Sequence, residues 1–160
     1  MENETLVAVE QDFIRILKVG VCQTLSGRSS LTYQVGCDAE GKVQFRIFKN
    51  SGGGYYSNEW VSARDLERLL RNFEIVTSAN LSEIFKGRSA NNGGFLLSAL
   101  KAEGLFERSI DNPRSYVAVE SPAFVVEIQG LIAAGANLDA NEKPGKKSSK
   151  TRKAAASRAN

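Results

Sequence analysis

The chain has 160 residues and contains no histidine. Ser–His and Cys–His nucleophile pairs are therefore excluded. The two cysteines, Cys22 and Cys37, are too few to hold a zinc ion without imidazole help. They are expected to pack as small apolar groups rather than to form a disulfide. The stretch Gly36-Cys-Asp-Ala-Glu-Gly41-Lys42 comes close to a phosphate-binding loop. It fails because Val43 stands where a magnesium-holding hydroxyl belongs, Asp38 and Glu40 repel phosphate, and a strand rather than a helix follows. The carboxylates are scattered over helix faces and turns, and no pair is singled out for acid–base work. These observations predict a non-enzymatic protein without metal or cofactor.

The chemistry that remains is that of cations, amides and aromatic rings. Fourteen basic residues stand against eighteen acidic ones in 1–142, a net of −4. Residues 143–160 hold seven basic residues and no acid, among them Lys146, Lys147, Lys150, Arg152 and Lys153. A cationic end of this kind suits a polyanion, and each phosphate it neutralises steepens the log–log salt dependence on duplex DNA by about 0.9. Such affinity carries no sequence preference, so selectivity has to come from the body.

Residues 4–18 place Leu6, Val9, Phe13, Ile16 and Leu17 at helical spacing and predict an amphipathic helix. From 19 to 61 the period changes to two. Leu31, Tyr33, Val35 and Cys37 alternate with polar or small residues, as do Val43, Phe45 and Ile47. With a strand near 19–25 and another at 55–61, these form a four-stranded antiparallel meander. Ser62-Ala-Arg-Asp65 opens a helix carrying Leu66, Leu69, Leu70 and Phe73.

Residues 78–120 read helix, turn, helix, hairpin. Asn80 with Glu83 is expected to cap the first helix, and Ser89 the second, which Gly104 ends. Asp111-Asn-Pro113 turns the hairpin. Ser121-Pro122 starts a last helix with Phe124, Val125, Ile128, Leu131 and Ile132 in its stripe, and Gly135 ends it.

The segment Ala99-Leu-Lys-Ala-Glu-Gly-Leu-Phe-Glu-Arg108 resembles the join between recognition helix and wing in winged helix-turn-helix proteins. The resemblance covers about 43 residues, 78–120, and rests on pattern rather than on an invariant motif. It implies a helix offered to the major groove beside a backbone-contacting hairpin. On a helical wheel Leu96, Ala99 and Leu100 share a core side, and Asn91, Gly94, Ser98 and Lys101 the opposite side. Asn91, Ser98 and Lys101 are then the candidate base or phosphate contacts, with Arg88, Arg108 and Arg114 on phosphates around them. Gly93 and Gly94 each cost about 1 kcal/mol in a helix relative to alanine, which points either to another backbone lying close or to a helix that starts after Ser89. Acidic and basic residues nearly balance over 78–120, which also suits a winged helix that meets protein instead of DNA.

The four-stranded meander and helix of residues 19–73 resemble, more distantly, the single-strand-binding fold of the positive-cofactor-four coactivators, on the stretch from Lys42 to Leu70 with its basic, aromatic-bearing strands, Trp60 and the helix. Arg46, Phe48, Lys49, Tyr55 and Tyr56 are the charge and stacking candidates there. Extra aromatics in a small sheet usually belong to its core, and that is the expectation for these.

The predicted architecture is α+β: an α-β4-α module at 1–76, a winged-helix-like module with a C-terminal helix at 77–136, and a disordered basic tail at 137–160. The expected function is DNA binding, in transcription regulation or as an accessory factor of a mobile element, with duplex DNA as partner. The alternatives are a protein–protein adaptor and a single-stranded nucleic-acid binder using the sheet. A homodimer through the last helix fits the duplex-DNA and adaptor readings. No apolar run nears the roughly 18 residues that span a bilayer. The acidic start, with no base before Arg15, is unlike a secretory leader, so a cytoplasmic location without membrane contact is expected.

Overall fold

A computed structural model describes residues 13–86 and 91–138. The alternating stretches pair as an antiparallel meander in the order β1-β2-β3-β4. Its strands are β1 (Arg15–Gln23), β2 (Ser30–Cys37), β3 (Val43–Asn50) and β4 (Val61–Ser62). Leu31, Tyr33, Val35, Cys37, Phe45 and Ile47 form one buried face, as their period of two requires. The β2–β3 turn closes with Gly41 at φ 82°. The Asp38 carboxylate accepts the Glu40 and Lys42 amides, each at 2.9 Å. Those amides point at a fixed carboxylate, so the turn offers no phosphate cradle.

The predicted helix over 4–18 is corrected within the described residues. Arg15–Gln23 is a strand, and residues 1–12 lie outside the described residues. A bulge between Ile16 and Lys18 inserts Leu17 into β1. Ile16 and Leu17 are then both buried, which breaks the alternation and mimics helical spacing. The last strand of the meander is also shorter than the expected 55–61. Residues 51–60 leave the sheet because their loop is tied to the helix opposite. The Ser57 amide donates to Asn92 Oδ1 at 2.8 Å, and Asn91 Nδ2 donates to the Tyr55 carbonyl at 3.2 Å.

Among the described residues four helices complete the fold: α1 (Ala63–Leu70), α2 (Ser78–Ser82), α3 (Asn91–Ala102) and α4 (Pro122–Ala133). Ser62 caps α1 by accepting the Asp65 amide at 3.0 Å, as its sequence predicts. Substituting Ser62 by alanine is expected to cost about 1 kcal/mol, read as a lowered denaturation midpoint. The cap of α2 is Thr77, not Asn80; Asn80 is its reciprocal partner in a capping box. A 3-10 turn, Glu83–Phe85, follows α2 and ends at Lys86 with φ 44°. Gly104 at φ 83° stops α3, and Gly135 at φ 72° follows α4. The strands β5 (Phe106–Arg108) and β6 (Tyr116–Ala118) pair as a hairpin, to which Val76 adds a bridge through Tyr116.

One hydrophobic cluster runs from Leu17 through Leu31, Val35, Val61, Leu81, Leu97, Leu100 and Phe106 to Ile128. The two expected modules therefore share a core, and α3 lies at its centre. Gly93 is where α2 and α3 cross. A Cβ there would collide with the Ser78 carbonyl and Ser82 Oγ, and would come within 2.6 Å of the Ser82 amide. The close backbone approach expected from the glycine pair is found at Gly93. At Gly94 the nearest atom would be Ser78 Cβ at an ordinary 3.6 Å.

The tail expected at 137–160 lies outside the described residues from 139 onward.

Candidate nucleic-acid interface

Every second residue of the strands turns away from the core, and the register says which of these are neighbours. Val19 pairs with Gln34 and Gln34 with Arg46; Val21 pairs with Thr32 and Thr32 with Lys49. A bulge between Thr32 and Tyr33 leaves Phe48 as the extra residue of β3. Trp60 precedes β4, one step beyond the Phe45–Val61 pair, and so falls opposite Arg46.

These residues form a built cluster. Arg46 Nε donates to Gln34 Oε1 at 2.8 Å. Its guanidinium lies 4.5 Å from the Trp60 ring centroid and 5.4 Å from that of Phe48. Lys49 Nζ stands 5.8 Å from the Phe48 ring. Each contact sets a cation near an aromatic ring, and Arg46 lies against two. Gly36 makes room for this: a Cβ there would come 3.0 Å from the Trp60 ring, 2.7 Å from Ile14 Cγ2 and 2.6 Å from the Arg15 carbonyl. The hydroxyl of Tyr56 donates to the Phe48 carbonyl at 3.0 Å, and Tyr55 is 84% exposed.

Phe48, Tyr55 and Tyr56 are thus outside the buried core, contrary to the expectation that extra sheet aromatics belong inside, and Trp60 is half-buried beside them. No acidic residue is among the outward residues of the four strands. Trp60 is legible in the sequence as an aromatic near the helix start. Its role beside Arg46 emerges only from the register.

The winged-helix candidates are placed differently. Lys101, Arg108 and Arg114 are exposed. Arg108 sits 5.4 Å over the Tyr116 ring, its cross-strand partner. Asn91 is exposed but engaged with the 51–60 loop. Ser98 requires a correction. It is 3% exposed, and its Oγ donates to the Gly94 carbonyl at 2.9 Å. The sheet covers one side of α3 and α2 the other, so the middle of this helix has no surface to offer. Leu96, Ala99 and Leu100 are buried as expected. Arg88, Lys146, Lys147, Lys150, Arg152 and Lys153 lie outside the described residues.

A second polar cluster lies on the inner side of the sheet, and sequence reasoning missed it because Glu103 reads only as a helix end. The Glu103 carboxylate, 4% exposed, accepts from the Tyr33 hydroxyl and from Lys18 Nζ, the latter at 2.8 Å. Lys18 also reaches Glu127 of α4 at 3.0 Å. The cluster ties β1, β2, the end of α3 and α4 together. Tyr33 reaches Glu103 by lying across Gly20, where any Cβ would collide with its ring.

Burial raises the Cys22 thiol pKa from 9.0 to about 11, against the Lys101 charge and with that of Glu103. Burial, then the bond to Glu103, raises Tyr33 as well. For Lys18, burial acts downward, but the bonds to Glu103 and Glu127 outweigh it and the net shift is upward. In all three the folded chain keeps a proton that the unfolded chain gives up at lower pH. Unfolding then releases protons, so stability falls as pH rises. Melting temperature is expected to be level near neutrality and to drop between pH 9 and about 11. A melting temperature that stays constant through pH 11 contradicts this placement of Cys22, Tyr33 and Lys18. The two thiols are free.

Among the described residues no group of three His, Cys, Asp or Glu side chains is placed to hold a metal ion, and no helix is long and apolar enough to cross a membrane. No protein-family model matches the chain, and no curated protein or solved structure matches it either.

Proposed function

We propose that this chain is a non-enzymatic nucleic-acid-binding protein that stacks unpaired bases on the outward face of its sheet. The observation that carries this reading is the cluster of Arg46, Phe48, Lys49 and Trp60 on a face whose four strands carry no acidic residue. Base–aromatic stacking contributes about 1–3 kcal/mol per base and tolerates any sequence, while cations along the strand follow the backbone. Tyr55 and Tyr56 extend the aromatic surface along the adjoining loop. The basic residues beyond 142 add affinity that depends on salt and not on sequence. A cytoplasmic location suits both the partner and the free thiols.

A second reading, duplex DNA binding in transcription regulation or mobile-element biology, draws on a different observation. From α1 to β6 the order is helix, bridging strand residue, helix, helix, hairpin, the order of a winged helix, and Lys101, Arg108 and Arg114 are exposed along it. The buried middle of α3 weighs against it.

The test is binding of the full chain to labelled single-stranded and duplex oligonucleotides across a salt series. Phe48→Ala is expected to weaken single-strand binding about tenfold, from one lost stacking partner. Lys101→Ala and Arg114→Ala are expected to leave it unchanged. The reverse pattern, with duplex binding lost on changing Lys101 and Arg114, overturns the sheet reading in favour of the second.

A further inference from the structure

The strand β1 is at the edge of the sheet, with β2 as its one partner strand among the described residues. Edge strands expose a row of backbone donors and acceptors, and soluble proteins usually blunt them with charge, proline, bulges or a covering segment. The first half of β1 is blunted in this way. The Ile16 amide donates to Asn137 Oδ1 at 3.2 Å, Arg15 reaches the Ala136 carbonyl at 3.4 Å, and the bulge follows. Lys18 is drawn inward to Glu103 and Glu127. From Val19 to Gln23 there is no charge and no proline, and no covering segment among the described residues. Val19 is 45% and Val21 69% exposed.

We infer that Val19–Gln23 is a self-association edge whose occupant is β1 of a second copy of this chain, paired antiparallel about a two-fold axis at Gly20. The exposed stretch is self-complementary. The sequence reads Val-Gly-Val about Gly20. A two-fold axis there sets Val19 beside Val21 of the partner subunit, and Val21 beside Val19 of the partner subunit, on the outward face. In each case two exposed β-branched side chains cover one another. Gly20 meets its own copy at the axis, and its inner face is covered by the Tyr33 ring of its own subunit. Lys18 falls opposite Cys22 of the partner subunit, so no like charges oppose. The meander becomes a continuous eight-stranded sheet. This inference does not depend on what the outward face binds.

The experiment is sedimentation of the full chain over a concentration series. Wild type is expected to shift from monomer to dimer. Val19→Lys combined with Val21→Lys sets lysine against lysine and is expected to weaken the dimer by about tenfold or more. Val19→Lys combined with Val21→Glu sets opposite charges across the same pairs and is expected to restore it. Hydrogen exchange of wild type supplies a readout free of variants: protection of the 19–23 amides should rise with protein concentration. A monomer throughout, a dimer that survives the double lysine change, or concentration-independent exchange at 19–23 overturns the proposal.

Discussion

Replacing Gly93 by alanine is expected to destabilise the protein by about 3 kcal/mol, whereas the same change at Gly94 is expected to stabilise it slightly. At Gly93 the new methyl meets the Ser78 carbonyl and the Ser82 amide, both backbone groups of α2 and its end. Neither can rotate away as a side chain would. The α2–α3 crossing has to open, at the upper end of the usual overpacking cost of about 1–3 kcal/mol. At Gly94 the new methyl makes an ordinary contact at 3.6 Å with Ser78 Cβ. Alanine there recovers up to about 1 kcal/mol of helix propensity. For a chain of this size the Gly93 change should lower the melting temperature by on the order of 10 °C. Equal effects at the two neighbouring positions would mean that α2 does not lie against α3 as described.

Replacing Glu103 by alanine is expected to cost about 3 kcal/mol, because it strands two partners at once. The Tyr33 hydroxyl loses its acceptor, and Lys18 keeps only the half-exposed Glu127. Lys18 itself is partly solvated, which holds the loss at the lower end of the range for broken buried pairs. Glu103→Gln keeps an acceptor for Tyr33 and removes only the charge, so about half the loss is expected. Glu127→Ala touches an exposed pair and is expected to cost under about 1 kcal/mol. Urea denaturation of the three variants checks the order, with Glu103→Ala the least stable, Glu103→Gln intermediate and Glu127→Ala nearest to wild type. A Glu103→Ala variant as stable as wild type would remove the network from any account of how α3 is held.

The legible parts of this fold are those where a single period runs without interruption. β2 and β3 alternate cleanly over Leu31–Cys37 and Val43–Ile47, and the alternation marks nearly their observed limits. Helix ends are legible where a side chain or glycine acts locally, as at Ser62, Gly104, Ser121 and Gly135. β1 reads as a helix because a single inserted residue, Leu17, shifts its phase, and a local window cannot distinguish that from a helical stripe.

The candidate site is less legible, for a related reason. A helical wheel assigns one core side, but α3 is covered by the sheet and by α2, so Ser98 is buried from the second direction. Whether a helix has one neighbour or two is a tertiary property. The cation–aromatic cluster draws Gln34, Arg46 and Phe48 from two strands and Trp60 from the loop before a third, and their proximity follows from register. Composition supplies the residue types; pairing assembles the site.

Trp60 is the sole tryptophan of the chain, and its ring lies against Arg46 in the proposed site. Its fluorescence therefore reports from that site alone. The most direct measurement is a titration of the full chain with a single-stranded oligonucleotide at low salt, following Trp60 emission and binding anisotropy together. Emission is expected to be quenched in step with binding, and Phe48→Ala to shift both curves to higher concentration. Binding by anisotropy with Trp60 emission unchanged would place the nucleic acid elsewhere on the protein and contradict the sheet-face reading.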